Sequence, residues 1–397
     1  MKKSFMAKSP LALCLLAAAA TAQADDARID QLESRIDALQ QDLRAAGQDR
    51  VRFNGFMSTG VARASNDAGY DGVTETTEAQ SLTLFAIQGR FDISDATNAT
   101  VQLVSRGSDP GRDDFATQLE WAYLTHHLDN GIRIRAGQMR PPLFMYSDSL
   151  ELGYAQPWAR SPLVVYEQVD LSNYTGADVT YSYHLGNGTM RTQIFGGHGS
   201  NDVDAVATPT SPDGVSGIEL RNLAGASVSW TDYTWTLRGV AARADSSFDF
   251  LDELGQPGEY EGAFYGLGLE YNEGNLLVVS EVTRREVQGV FADQDSAYVT
   301  AGYRFGNLMP YATAAWIESM DDEERNGTIF TALNRKREDY SLGVRYDIMP
   351  GIAIKGDWTH SRSFGQTDGG LANNRDANGD VRFGHTNVYT VTLDAAF

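Results

Sequence analysis

Residues 389–397 read YTVTLDAAF. Taken in steps of two back from Phe397 they give Ala395, Leu393, Val391 and Tyr389, with Asp394, Thr392 and Thr390 between them. That is the period of a β-strand with one apolar and one polar face. The pattern runs to the last residue, where a soluble protein usually frays. The final strand is therefore expected to have a neighbour on both edges.

The same period extends back to Val51. In VRFNGFMSTGV (51–61), Val51, Phe53, Met57 and Val61 fall on one face and Arg52, Asn54 and Ser58 on the other. LEWAYLTHH, GIRIRAGQM, GADVTYSYH, TMRTQIFGG, AGASVSWT, YTWTLRGV, FYGLGLEY, SAYVTAGYRF, DYSLGVRY and IAIKGDWTH repeat the form. The count comes to sixteen strands, with ambiguous facing around 81–93, 275–286 and 309–319. Seven connections are tight and carry turn residues: SDATN, HLDNG, HLGNG, WTDY, YNEGN, FGNLMP and YDIMPG. The eight between them are longer and rich in Asp, Gly, Asn and Ser; SNDAGYDGVTETTE, residues 140–174, GGHGSNDVDAVATPTSPDGVSG and SFGQTDGGLANNRDANGDVRFG are among them. A soluble sandwich has no reason to sort its loops by end. An outer-membrane barrel does, with short periplasmic turns and longer extracellular loops. The fold expected is an all-β, transmembrane antiparallel β-barrel of about 16 strands over 51–397. An even count puts both chain ends on the tight-turn side, where the last strand can meet the first. Phe397 is then expected in an aromatic girdle with Phe91, Trp121, Trp230, Tyr271, Phe305, Tyr346 and Tyr389.

Two segments precede the barrel. Lys2, Lys3 and Lys8 lie before an apolar run from Leu11 to Ala20, and Ala22-Gln23-Ala24 offers small residues for cleavage, so 1–24 reads as a signal peptide. Its loss removes three lysines and takes the formal charge from -21 to -24, which disfavours nucleic acid as a partner. The single cysteine, Cys14, lies in this segment, so no disulfide or thiol ligand is expected in the mature chain. In 25–47, Ile29, Leu32, Ile36, Leu39, Leu43 and Ala46 recur in steps of three and four, and Gly47 follows. The seam suits a short periplasmic coiled coil between subunits or an amphipathic helix packed on its own domain. No later stretch of 18 apolar residues could form a spanning helix.

The polar faces carry charge. Opposite the lipid-facing positions stand Arg52, Arg90, Arg106, Arg133, Arg135, Arg191, Arg221, Arg238, Arg304, Arg345 and Lys355, with the acids Asp92, Glu120, Asp178, Glu270, Asp357 and Asp394. Such groups cannot be buried dry, so the interior should hold water, and pairing across strands leaves bases over. Sixteen strands is also the size at which a barrel leaves an aqueous lumen. All of these except Arg221, Asp92, Glu270, Asp357 and Asp394 are taken as candidate selectivity residues.

With a signal peptide, a short coiled coil, a sixteen-strand pattern and a terminal Phe397, the chain resembles a Gram-negative porin. Residues 136–167, AGQMRPPLFMYSDSLELGYAQPWARSPLVVYE, are similar to a segment of proteobacterial porins, and distantly to the phosphate-selective porin family. The resemblance implies an outer-membrane location with Phe397 as sorting signal, a homotrimer, and a third loop folded into the barrel as the constriction. That loop, 141–173, carries Asp148, Glu151, Glu167, Asp170 and Arg160, with Arg140 at its root. Its aromatics Phe144, Tyr146, Tyr154, Trp158 and Tyr166 suggest packing, with its acidic face opposite a basic wall that includes Arg133 and Arg135.

The expected function is passive diffusion of small hydrophilic solutes through a water-filled channel, weakly favouring anions because low-dielectric walls focus the field at the neck. Acidic outer loops, Asp245 to Glu261 and Asp321 to Glu324, oppose this across wide, screened water; they also suit lipopolysaccharide bridged by divalent cations. The alternative is a structural or adhesive barrel with a blocked lumen. An enzyme is not expected: His126, His127, His184, His198, His360 and His385 are scattered and fall in no nucleophile motif. No cofactor or metal is expected either; DANGD (376–380) has Val381 where an EF-hand needs glycine and Asn387 where it needs a bidentate acid.

Overall fold

Alternating side chains and turn residues at regular intervals dictate a meander, and a meander in hydrocarbon must close, because each unpaired backbone group there costs several kcal/mol, on the order of one lost hydrogen bond. The computed structural model describes residues 50–108, 113–169, 171–204, 215–253, 255, 258–289, 291–321, 325, 333–376 and 379–397. The expected signal peptide and the 25–47 helix lie outside the described residues, as do Asp170 and Asp322 to Glu324.

The strands are β1 (Val51–Ala64), β2 (Leu84–Asp92), β3 (Thr97–Arg106), β4 (Thr117–His127), β5 (Ile132–Met139), β6 (Tyr174–Leu185), β7 (Gly188–Asp204) and β8 (Val215–Thr231). They continue as β9 (Trp235–Phe248), β10 (Tyr260–Glu273), β11 (Leu276–Val287), β12 (Gln294–Tyr303), β13 (Leu308–Ser319), β14 (Lys336–Met349), β15 (Ile352–Arg362) and β16 (His385–Ala396). Each pairs antiparallel with the next, and β16 pairs with β1 from Phe56↔Ala396 to Ala64↔Val388. The result is a closed barrel of sixteen strands. Phe397 extends the closure, its N–H and C=O bonding Gly55 at 2.8 and 2.7 Å. Gly55 has no side chain to obstruct the Phe397 ring, which lies where a Cβ would be.

The seven tight turns fall where the sequence places them, and Gly131, Gly186, Gly274, Gly306 and Gly351 take φ between 58° and 86°, a region that favours glycine. One long connection is shorter than the sequence suggests. β7 and β8 are 17 residues each and carry the sheet well past the 9–11 residues that span a bilayer, so most of the 196–217 stretch is a projecting hairpin.

Outward side chains form an apolar wall between two aromatic belts. The turn-side belt includes Phe53, Phe91, Trp235, Tyr303, Phe305, Tyr346 and Phe397; the loop-side belt includes Tyr265, Trp316, Tyr340, Trp358 and Tyr389. Tyr389 thus belongs to the belt opposite that of Phe397. The eight residue steps from one to the other measure about 26 Å along the strand, or about 20 Å of height at a tilt of about 40°, the scale of a barrel's apolar band.

Two β-bulges change which way side chains face. At Gln102/Leu103 the register skips Glu120, so that Glu120 and Trp121 both turn inward, Trp121 standing opposite the buried Gln102. Trp121 therefore faces the lumen and not the girdle. At Arg221/Ala224 a second bulge puts Leu220 inside and Arg221 outside. Arg221 pairs there with Glu219 and Glu259 on the surface and is not a wall residue of the lumen.

Candidate functional site: the third loop and the inner wall

The third loop, L3, occupies 140–173, between Met139 and Tyr174. Pro141 and Pro142 lack the N–H that a strand needs and end β5. Beyond them the chain turns into the barrel through 3-10 turns at Ser147–Ser149 and Gly153–Ala155 and a short helix, α1 (Leu163–Tyr166). Phe144, Tyr146, Tyr154, Trp158 and Tyr166 are all buried. Phe144 packs edge-on against Phe264 of β10 with centroids 5.2 Å apart, and Trp158 against Tyr298 of β12 at 5.7 Å. L3 is a packed layer against the inner wall.

Polar contacts fix its course strand by strand. Arg238 (β9) donates to the Pro142 carbonyl at 2.7 Å. Glu281 (β11) accepts from the Met145 N–H at 2.7 Å and the Tyr166 hydroxyl at 3.0 Å, and Glu270 (β10) accepts from Tyr146 at 2.8 Å. The Trp158 indole donates to Thr300 (β12) at 2.7 Å, and the Ala159 N–H to the Tyr311 hydroxyl (β13) at 3.0 Å. Arg345 (β14) donates to the carbonyls of Tyr154 and Gln156, both at 2.8 Å. Lys355 (β15) donates to those of Gly153 and Trp158 at 2.5 and 2.9 Å and pairs with Asp394 (β16) at 3.0 Å. Asp394 in turn accepts from Ser58 (β1) at 2.6 Å across the closing seam, and Gly153 lies against both.

Arg238, Arg345 and Lys355, expected to line the pore, are thus buried behind L3 and hold its backbone. The reason is chemical: a non-regular loop inside a barrel leaves carbonyls without partners, and cationic wall residues are strong donors to them.

At the root of L3 lies a buried cluster of two bases and two acids. Glu120 accepts from Arg106 and Arg140 at 2.7 Å each, and Glu151 pairs with the same two, the Arg140 contact at 3.1 Å. Burial pushes the Glu151 carboxyl up, but the Arg140 and Arg106 guanidinium groups outweigh it and hold it below the usual carboxylate range. Glu120 is fully buried here and reaches no open lumen. At the far end Glu167 pairs with Arg337 at 3.0 Å and Arg335 at 3.4 Å, and Arg160 pairs with Asp71 of the first loop. Glu151, Glu167 and Arg160 therefore anchor L3, and Glu151 and Glu167 do not form the expected acidic face; Asp148 lies in electrostatic reach of Arg135.

The remaining candidates make none of these L3 contacts; Arg135, Asp178 and Arg191 are buried in the inner wall, and Arg52, Arg90, Arg133 and Arg304 are partly exposed. Arg52 and Arg90 share Asp92 at 3.0 and 3.4 Å near the turn side. Arg135 pairs with Asp178 at 2.7 Å and lies 5.3 Å from the Tyr123 ring centroid. Arg133 faces inward one layer below, opposite Thr180, and Arg191 inward opposite Ser182 and Ser229. Arg304 donates to Asn272 at 3.0 Å. Residues the sequence did not single out include Glu281, Arg285 and Arg337. Glu281 shares the parity of Leu277, Val279 and Thr283, but β11 is apolar on both faces, which hid its direction. Arg285 donates to the Gln168 carbonyl at 3.0 Å, a further tie to L3.

A closed sixteen-stranded antiparallel barrel with an apolar, aromatic-rimmed exterior, a charged interior and its third loop folded inside has the fold of an outer-membrane porin. No family model matches the chain, and no curated protein matches it. Solved structures do match it in fold. The anion-selective porin of Comamonas acidovorans superposes with a TM-score of 0.58 at 14% identity, over 87% of this chain and 99% of that one. OmpT, an outer membrane protein of Vibrio cholerae, gives 0.55 at 11% identity over 88% and 98%. The outer membrane channel DcaP of Acinetobacter baumannii gives 0.54 at 12% identity over 87% and 97%. At such identities the likeness is one of fold.

Proposed function

We propose that this chain is an outer-membrane porin, a water-filled channel through which small hydrophilic solutes diffuse passively, with a weak preference for anions. The observation that carries the reading is an excess of bases over acids on part of the inner wall. The inward faces of β1, β2 and β5 to β7 carry Arg52, Arg90, Arg133, Arg135 and Arg191 against Asp92 and Asp178; Arg135, Arg191 and Asp178 are buried in that wall, and Arg52, Arg90 and Arg133 are the partly exposed bases. A solute passing along that part of the wall meets more positive than negative charge at short range, where the low-dielectric wall concentrates the field. The similar Comamonas acidovorans protein is described as anion-selective, and OmpT has been solved in a trimer form; we extend both, as anion preference and a homotrimer, to this chain. Outer-membrane lipid and lipopolysaccharide are the surroundings proposed for its exterior.

The test is reconstitution of the purified protein in a planar bilayer under a KCl gradient. Open steps with an anion-favouring reversal potential are expected. A cation-favouring potential would keep the channel and assign selectivity to the acidic loops. Absence of current would defeat the channel reading and favour a structural or adhesive barrel with a blocked lumen.

A further inference from the structure

The outward wall between β11 and β14 is indented. A groove of about 330 Å³ runs down it, floored by Ala297, Val299 and Ala314 and walled by Trp316 and Tyr340. The registers explain the shape: Ala297 stands opposite Trp316, Val299 opposite Ala314, and Ala314 opposite Tyr340, so small side chains sit between large ones. At the loop-side end of the groove the same outward face carries a band of charge. Arg284 pairs with Asp295 at 2.6 Å, Lys336 with Glu318 at 2.5 Å and Arg362 with Glu338 at 3.4 Å. In every pair the base is the more exposed member, 51% against 19%, 48% against 44% and 51% against 39%. In the Lys336 and Arg362 pairs both members are exposed, so the bases are open to a ligand.

We infer that this groove is a lipid site, holding one acyl chain of a phosphorylated membrane lipid whose head group lies against Lys336 and Arg362. The groove begins at Trp316 and Tyr340 in the loop-side belt and runs toward the turn side to Val299 and Ser280, so its mouth lies at the head groups and its floor in hydrocarbon. A chain that fills it gains contacts on three sides in place of one, and an unfilled groove would forfeit them. The head group's phosphate meets the exposed Lys336 and Arg362, each already held at the rim of the groove by its acid partner. A two-fold pairing of this face with a second copy is a poorer occupant, because it would bring these bases against themselves; a three-fold assembly packs unlike faces together and does not use that pairing. The inference rests on the barrel spanning a membrane and not on its conducting, so a silent channel leaves it intact.

The test is native mass spectrometry of the delipidated full-length protein in detergent, titrated with dioleoyl phosphatidylglycerol and, as a head-group-free comparison, with dioleoylglycerol. One phosphatidylglycerol per chain should persist under activation that strips other lipid. Ala314→Phe, which fills the floor, should abolish that retention, whereas Ala136→Phe on the outward face of β5 should not. The double variant K336Q/R362Q, at exposed positions that do not burden folding, should weaken retention about tenfold. The inference is overturned if Ala314→Phe retains lipid as the parent does, if Ala136→Phe loses it equally, or if dioleoylglycerol is held as well as phosphatidylglycerol. Should Ala314→Phe fail to form a heat-shiftable barrel, K336Q/R362Q decides alone, and unchanged retention in it refutes the site.

Discussion

Lys355 and Arg133 are both basic and both face the inside of the barrel, yet they do different work. Lys355 has three ammonium protons and three acceptors, the carbonyls of Gly153 and Trp158 and the carboxylate of Asp394. Lys355→Met keeps the stem and strands those acceptors, at a cost of about 1–3 kcal/mol for each buried group left unsatisfied. The expected outcome is a lower temperature for the heat-induced shift in gel migration and a noisier open current, with reversal potential unchanged. A changed reversal potential would mean that Lys355 reaches the solute path. Arg133 is partly exposed on the inward face of β5, and Arg135 beside it is buried against Asp178 and the Tyr123 ring. Replacing both with Gln should lower the anion-to-cation permeability ratio on the order of twofold while the pore stays open, since the field there depends on few charges. An unaltered ratio would locate selectivity elsewhere, in the outer loops first of all. Gly153 offers a third residue-scale prediction. It lies against Ser58 and Asp394, so Gly153→Val forces L3 off the wall and should destabilise the barrel by about 1–3 kcal/mol, measured by the same migration shift.

Among the elements, L3 is the one folded into the lumen. Deleting residues 143–161 removes the layer over β9 to β16 and should raise single-channel conductance about twofold or more, because the widest part of the lumen is then unobstructed. Equal conductance would show that L3 does not limit flow. The bounds of this loop were legible from 140 to 174, because two prolines end one strand and the period of two resumes at GADVTYSYH. Strand number, turn positions and the facing of most charged residues were equally legible, since each follows from local alternation. What the alternation cannot show is a bulge. One extra residue reverses parity, and that is why Trp121 and Arg221 were assigned to the wrong sides. Nor can it show which inward bases L3 covers, because the contacts of Arg345 and Lys355 with residues 153–158 join segments nearly 200 positions apart. Burial of a wall residue by a loop is a tertiary fact with no local sign.

At the scale of the molecule, every hydrogen-bonded edge is satisfied around the ring, and the first and last strands meet where L3 is seated. Ser58 and Asp394 lie 336 positions apart, and the side chains that join them also receive Gly153 through Lys355. L3 leaves from β5 and reaches its seat at the seam of β16 and β1, so it measures the interior from one side to the other. The consequence concerns assembly. A ring that closed one hairpin short would bring the wrong strand to the seat, leaving a buried lysine without its carboxylate and a loop without its resting place. A loop seated from one side of the ring to the other fits a circumference of sixteen strands as a caliper fits one width.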